Sequence, residues 1–132
     1  RGDRAGIAIN LSDLGATSIA LGLGDRAREM LREGFSIAED IGSKRAGIAH
    51  LSGASELAVF FGEWNLAARL YGAAEAQRER IGHHPEPGED VFIERAREAL
   101  GAIAFAAAES DGRSLSYDEA IAQARAWLDE GS

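Results

Sequence analysis

The chain contains no cysteine, only two prolines and no long apolar run. The absence of cysteine excludes disulfide bonds and thiolate zinc sites, and it is compatible with a cytoplasmic protein. No apolar run approaches the roughly 20 residues that a membrane-spanning helix needs, so we expect no membrane segment. The chain begins at Arg1 and has no signal-peptide pattern, so we expect it to be a segment of a larger multidomain protein.

Positive charge is also scarce. The chain has 14 basic and 22 acidic residues, which gives a formal net charge of −8. Because nucleic-acid-binding proteins neutralise phosphates with Lys and Arg, this balance opposes direct binding to nucleic acid. The length of 132 residues is sufficient for one domain with a hydrophobic core of its own.

The composition favours an all-α fold. Alanine is abundant, valine is scarce, and no stretch alternates polar and apolar residues with a period of two. We predict six helices, over residues 4–21, 25–41, 44–61, 63–81, 89–109 and 116–128. A glycine follows each of the first four helices, as a left-handed C-terminal cap requires, and Asp111-Gly112 is predicted to connect the last two.

Two helix starts carry capping signals, and the spacing of apolar residues predicts which side of each helix faces inward. Ser43 is a predicted N-cap, and Ser116 forms a predicted capping box with Glu119. The predicted inward residues of the first helix are Ile7, Leu11 and Leu14, with Ser18 as a further candidate. Those of the fifth helix are Phe92, Ala96, Ala99, Leu100, Ile103 and Ala107.

The sequence contains an internal repeat. The letters RAGIA at Arg4–Ala8 recur at Arg45–Ala49, 41 residues later, and the helices that follow align at an offset of 40, Ala27 with Ala67. A unit of about 40 residues that holds two helices is typical of helical solenoids. We therefore predict a tetratricopeptide-like α-solenoid of about three antiparallel helix pairs, with units at about 4–42, 44–82 and 89–129. Ala27 and Ala67 are predicted to lie at close contacts between helices.

The chain resembles a known family over essentially its whole length, and most strongly from Gly62 to Ala124. The segments are GEWNLAARLYGAAEAQRERIG at Gly62–Gly82 and, after a proline-containing linker, ERAREALGAIAFAAAESDGRSLSYDEAIAQA at Glu94–Ala124. Both are similar to the C-terminal tetratricopeptide-like (MalT-like) region of bacterial LuxR-type transcriptional regulators and of related regulatory ATPases. The phosphate-binding pattern GxxxxGK[ST] of such ATPases is absent from this sequence, and so is a basic DNA-binding helix.

The resemblance implies a regulatory role without catalysis. We expect a cytoplasmic segment that binds a protein partner or other domains of its own chain, and that needs no cofactor. An alternative is a sensing domain that holds a small-molecule inducer in the concave groove of the solenoid. An enzyme is the least favoured hypothesis, because no arrangement of Ser, His and Asp in the sequence indicates a catalytic triad.

The first helices of solenoid units often line a concave groove, which suggests candidate binding residues. These are Asn10, Asp13 and Thr17 in the first helix, and His50 and Ser55 in the third. The competing interpretation, which we favour, is an ordinary solvated helix face. Trp127 lies at the border of the inward stripe of the last helix, where it is predicted to cover a missing element or a second copy of the chain.

The polar stretch HHPEPGED at His83–Asp90 raises the question of a metal site. Adjacent histidines generally point apart, the two prolines stiffen the segment, and acids in the first turn of a helix have a capping role. We therefore predict an exposed connector and no metal site.

Two further expectations concern apolar side chains. Phe60, Phe61, Trp64 and Tyr71 cluster near one turn, and we predict an interhelix core in preference to an exposed partner anchor. An excised solenoid exposes its ends, so we also predict a possible homodimer of the isolated segment, through Ile9 or through Trp127.

Overall fold

A computed structural model describes residues 4–83 and 91–130, with the side chains of Ala5, Ala8 and Ile9 excepted. Within these ranges the chain is helical and contains no β-strand, which confirms the all-α class. The elements are α1 (Arg4–Ala20), α2 (Gly24–Ile41), α3 (Lys44–Phe60), α4 (Trp64–Arg80), a 3₁₀ turn (Val91–Ile93), α5 (Glu94–Leu100), α6 (Ala102–Arg113) and α7 (Tyr117–Glu130).

The first four helices follow the predicted boundaries closely. The backbone of Gly42 after α2 is left-handed, with φ of 67°, and Gly22, Gly62 and Gly82 also have positive φ. The N-H of Ala46 donates to the Ser43 hydroxyl at 3.1 Å, so the predicted N-cap of α3 is confirmed. These caps explain why the boundaries could be predicted from sequence alone.

The predicted capping box at the start of α7 is also confirmed. The N-H of Ser116 donates to the Glu119 carboxylate at 2.9 Å, and the N-H of Glu119 donates to the Ser116 hydroxyl at 3.1 Å. This reciprocal pair fixes the direction in which α7 leaves the preceding turn.

The predicted helix over 89–109 is wrong within the described residues, because Gly101 divides it into α5 and α6. Gly101 has φ of 84° and ψ of 160°, a conformation that residues with a Cβ rarely adopt. The break reorients the second half of the predicted stripe: Ile103 is 88% exposed, whereas Phe105 and Ala108 are buried. The predicted connection at Asp111-Gly112 is likewise part of α6.

The helices pack in chain order up to α4 and then return. α1 lies against α2 and α3, α2 lies against α3, and α3 lies against α4. α6 crosses α4 at close range, and α7 returns to contact α2, α3 and α4. The core between these helices contains the large, fully buried side chains Leu31, Phe35, Leu51, Leu57, Leu70, Ile93 and Leu128.

Glycine permits the closest helix crossing. A methyl group at Gly72 of α4 would lie 2.1 Å from the Glu109 carbonyl oxygen, and one at Gly112 of α6 would lie 1.8 Å from the Arg69 carbonyl oxygen. The two backbones therefore touch where they cross. Ala27 and Ala67 are both fully buried, so the two residues that the repeat pairs share a buried environment.

The predicted inward stripe of α1 is wrong in part. Ser18 is 5% exposed and its hydroxyl donates to the Met30 sulfur at 3.8 Å. Ile7 and Leu14 are instead 48% and 49% exposed. The stripe fails because α1 packs against the rest of the chain through the face that carries Ser18 and Ile19, and the two exposed residues lie at the edge of that contact.

Candidate functional site

Trp127 lies in a buried joint between α7 and the first half of the chain. Its exposure is 7%, and its Nε1-H donates to the Glu63 carboxylate at 3.1 Å. The Arg28 guanidinium lies 5.1 Å from the Trp127 ring and 5.1 Å from the Phe61 ring. The prediction that Trp127 covers a missing element or a second copy is therefore wrong, because residues of its own chain cover it.

Arg28 also caps the C-terminal end of α7. Its Nη1 donates to the carbonyl oxygens of Trp127 and Leu128, at 3.3 Å and 3.1 Å. A cation beside the last carbonyls of a helix satisfies orphan acceptors and complements the helix dipole. Arg32 adds an ion pair with Asp129 at 3.0 Å. The sequence does not indicate this contact, because Arg28 and the last residues of α7 are about 100 residues apart in the chain.

A cleft opens between the C-terminal end of α2, the start of α3 and the start of α7. Its volume is about 610 Å³, which is within the range of small-molecule sites. Its apolar lining is Phe35, Ala38, Ile121 and Ala122, and its charged lining is Glu39, Lys44, Asp118 and Arg125. Such a lining suits a ligand with an apolar body and a polar end.

Two of the charged groups at this cleft pair with each other, and a third lies beside an aromatic ring. Arg125 of α7 donates to the Glu39 carboxylate of α2. The Lys44 ammonium lies 5.5 Å from the centre of the Tyr117 ring. Burial, followed by the negative charges of Asp118 and Glu39, raises the pKa of the Tyr117 phenol. The phenol therefore stays neutral and can donate a hydrogen bond at neutral pH.

Tyr117 reaches its place because α3 carries glycine at the contact. A methyl group at Gly47 would lie 1.9 Å from the Tyr117 hydroxyl oxygen. Gly47 is the glycine of the second RAGIA sequence, so a residue that the sequence marks as part of a repeat also shapes the cleft wall.

The structure places His50 and Ser55 in the core. His50 is fully buried, its ring centre lies 5.5 Å from that of Phe35, and a methyl group at Gly34 would lie 2.1 Å from its ring. Ser55 is fully buried and its hydroxyl donates to the Ala67 carbonyl oxygen at 2.7 Å. Both interpretations from the sequence, a binding groove and a solvated face, are therefore wrong for these two residues.

Asn10, Asp13 and Thr17 are exposed on α1 and are not brought together with His50 or Ser55. The Thr17 hydroxyl donates within its own helix, to the Asp13 carbonyl oxygen at 3.0 Å. Asp13 lines a second, more polar cleft of about 440 Å³ between α1, α3 and the end of α4. The predicted groove residues are thus divided between the core, this polar cleft and open surface.

A group of carboxylates at the crossing of α4 and α6 was missed by sequence reasoning. Burial, then the hydrogen bond and negative charge of Glu109, raise the pKa of Glu75 to about 7, against the opposing effects of Tyr71 and Arg113. Arg113 pairs with Glu79 at 2.7 Å and with Glu75 at 3.5 Å. Helical spacing relates Glu75 and Glu79 only to neighbours in their own helix, whereas Glu109 and Arg113 come from another helix, so the sequence does not indicate this group.

Apolar side chains are exposed together where the α1–α2 and α3–α4 turns meet. Leu23 is 46% exposed, Phe60 is 36% and Phe61 is 39%. The two phenylalanine rings contact each other edge to face at 5.3 Å, and Gly24, the neighbour of Leu23, packs directly against both. We call Leu23, Phe60 and Phe61 the turn patch. The predicted interhelix core is correct for Tyr71, which is buried, and wrong for the two phenylalanines.

Two classes of site receive no support from the described part of the chain. Within residues 4–83 and 91–130, no group of three or more His, Asp and Glu side chains is placed to hold a metal ion. No helix in these ranges has the length and apolar character to cross a membrane. The predicted connector at His83–Asp90 lies outside the described residues except for His83, whose N-H donates to the Arg78 carbonyl oxygen at 2.9 Å.

Comparison with known proteins gives no match of any kind: no family model, no curated protein and no solved structure matches the chain. The resemblance to LuxR-type regulators therefore stays a prediction from the sequence.

Proposed function

We propose that this chain is a non-catalytic, tetratricopeptide-like segment of a bacterial transcriptional regulator, and that it acts by binding a protein partner or another domain of its own chain. The turn patch is the observation that carries this proposal. Two phenylalanines and a leucine are each more than one third exposed. The phenylalanine rings contact each other, and Gly24, next to Leu23, packs against both. Exposed aromatic clusters of this kind are enriched at the centres of protein interfaces.

The packing beneath the patch supports the same proposal. Phe61 lies against Arg28, at 5.1 Å, and against the Trp127 ring, at 6.5 Å. Trp127 is itself held by its hydrogen bond to Glu63, at 3.1 Å. The patch therefore rests on a fixed base, so a partner would not have to order it on binding. Preorganisation of this kind lowers the entropic cost of association.

Site-specific photo-crosslinking tests the proposal. A photoreactive amino acid at Phe60 should cross-link one discrete partner in cells, or the adjoining domain of a longer chain, and Leu23→Glu should abolish the product. The same amino acid at Ile103, which is 88% exposed on the remote helix α6, is the matched control. Equal products from both positions, or a product at Phe60 that Leu23→Glu leaves unchanged, would contradict the proposal.

A sensing domain is the alternative, and the cleft between α2, α3 and α7 favours it. The cleft combines a volume of about 610 Å³ with an apolar lining and charged groups at its edge. A screen of amphipathic acids and amines by thermal denaturation tests this function. A ligand at 100 times its dissociation constant should stabilise the protein by about 2.7 kcal/mol. Ala122→Trp, which fills the cleft, should abolish the shift, whereas Ala126→Trp on the exposed side of α7 should retain it.

A further inference from the structure

α1 carries a stripe of exposed side chains that its own chain covers only in part. Ile7, Leu14 and Leu21 are 48%, 49% and 69% exposed and are separated by seven residues each. Asn10 and Thr17 are also exposed and lie between them at the intermediate heptad positions. Residues at these spacings form one continuous seam, as in a coiled coil. We call these five residues the α1 seam.

The seam lies at the edge of the contacts that α1 makes within the chain. On the packed side, Gly15 approaches Leu31, where a methyl group would lie 3.8 Å from the leucine side chain. The Ser12 hydroxyl donates to the Ala49 carbonyl oxygen at 3.5 Å. The N-H of Leu21 donates to the Thr17 carbonyl oxygen at 3.0 Å, so the helical geometry extends to the last seam residue.

The charge distribution favours a second copy of this chain as the occupant of the seam. Charged residues make up 27% of the sequence and the net charge is −8, so two copies repel each other over most of their surface. Residues 5–24 contain a single charged side chain, that of Asp13. The seam therefore offers two copies an apolar contact with little electrostatic repulsion.

The pattern of the seam is also complementary to itself. A two-fold axis at Leu14 places Ile7 of one copy opposite Leu21 of the other and brings Asn10 within one residue of Thr17, so that apolar residues meet apolar residues and polar residues lie near polar ones. Most homo-oligomers associate through an isologous contact of this type, and one polar pair in such a seam fixes the register.

We propose that the α1 seam is a homodimerisation surface, on which α1 of a second copy packs antiparallel with Leu14 against Leu14. This assignment goes beyond the proposed function, because it uses a different face of the molecule from the turn patch. The α1 seam also replaces Trp127 as the surface through which the dimer is predicted to form, since Trp127 is buried in its own chain. The other predicted end, Ile9, is not among the described side chains.

Cysteine cross-linking tests the arrangement directly, because the chain has no cysteine of its own. Leu14→Cys should form a covalent dimer rapidly with a short bis-maleimide reagent. Ile103→Cys, exposed at 88% on α6, should react only through random collision. A mixture of Ile7→Cys and Leu21→Cys chains should give the mixed dimer in preference to either self-dimer. Preferred self-dimers, or equal rates for Leu14→Cys and Ile103→Cys, would overturn the proposal.

Sedimentation of the unlabelled protein provides the second measurement. The wild-type chain should approach twice its mass of 14.0 kDa as concentration rises. Leu14→Glu places two carboxylates at the axis, and we expect it to weaken the dimer by about 100-fold or more. Ile103→Glu adds the same charge elsewhere and should leave the dimer unchanged. An unchanged far-UV circular dichroism spectrum and a cooperative melt would show that Leu14→Glu retains the fold. A wild-type monomer at every concentration would overturn the proposal.

Discussion

Ile7 and Ile48 occupy the same position in the two RAGIA sequences, but Ile48 is 3% exposed and Ile7 is 48% exposed. The difference comes from their neighbours. α3 is enclosed by α1, α2, α4 and α7, whereas α1 contacts α2 and α3 from one side. The same local sequence therefore forms the same helix in both places, and the position of that helix in the fold decides whether its apolar residues are core or surface.

The second helices of the two pairs differ in the same way. At the offset of 40, Arg32 of α2 corresponds to Gly72 of α4, and Phe35 corresponds to Glu75. α4 must accept α6 across its backbone at Gly72, whereas Arg32 is exposed and pairs with Asp129. The two pairs thus share their caps and diverge on the faces that receive the C-terminal helices.

The largest contrast is expected between Gly72→Ala and Arg32→Ala. The new methyl group in α4 would lie 2.1 Å from the Glu109 carbonyl oxygen, so α6 must move away. We expect a loss of about 3 kcal/mol in the free energy of unfolding. Arg32→Ala removes an exposed ion pair and should cost at most about 1 kcal/mol. Urea denaturation measures both, and similar losses would contradict the close crossing of α4 and α6.

The next contrast is between Ile48→Ala and Ile7→Ala. Removing a buried isoleucine side chain leaves a cavity, and we expect a loss of about 2–3 kcal/mol at Ile48. Ile7 is half exposed in the monomer, so the same change should cost about 1 kcal/mol or less below the concentration at which the chain associates. Thermal denaturation of the two variants at low concentration measures the difference. Equal losses would show that the two RAGIA sequences have equivalent environments.

The smallest expected effect concerns Glu75, where the first pair has phenylalanine. The fold raises the pKa of Glu75 from its usual 4.5 to about 7, so the folded state favours the neutral carboxyl. Its contribution to stability is present below pH 4.5 and is lost as the pH rises towards 7.

The difference in unfolding free energy between Glu75→Gln and the wild type should therefore grow in favour of the variant, by about 1–2 kcal/mol, when the pH is raised from about 5 to about 8. The exposed residue Glu98 of α5 provides the matched control, and Glu98→Gln should give no such pH-dependent difference. Chemical denaturation at the two pH values measures the effect. A difference of the opposite sign would show that Arg113 outweighs burial and Glu109 at this site.

The sequence by itself determined the helical class and the positions of the caps. The capping residues act on backbone groups only a few residues away, so local chemistry fixes where most helices begin and end. They are Ser43, Ser116 with Glu119, and the four turn glycines. The helix break at Gly101 could not be predicted in this way, because a glycine in an alanine-rich run is compatible with an uninterrupted helix unless packing requires a break.

Tertiary structure alone decided which residues are buried and which side chains meet. His50 became core because Gly34 of another helix leaves space for its ring, and Trp127 became core because Arg28 and Glu63 bind it. The cleft, the turn patch and the α1 seam likewise depend on which helix faces are covered. These contacts join residues far apart in the chain, and helical periodicity specifies the faces of one helix without specifying what packs against them.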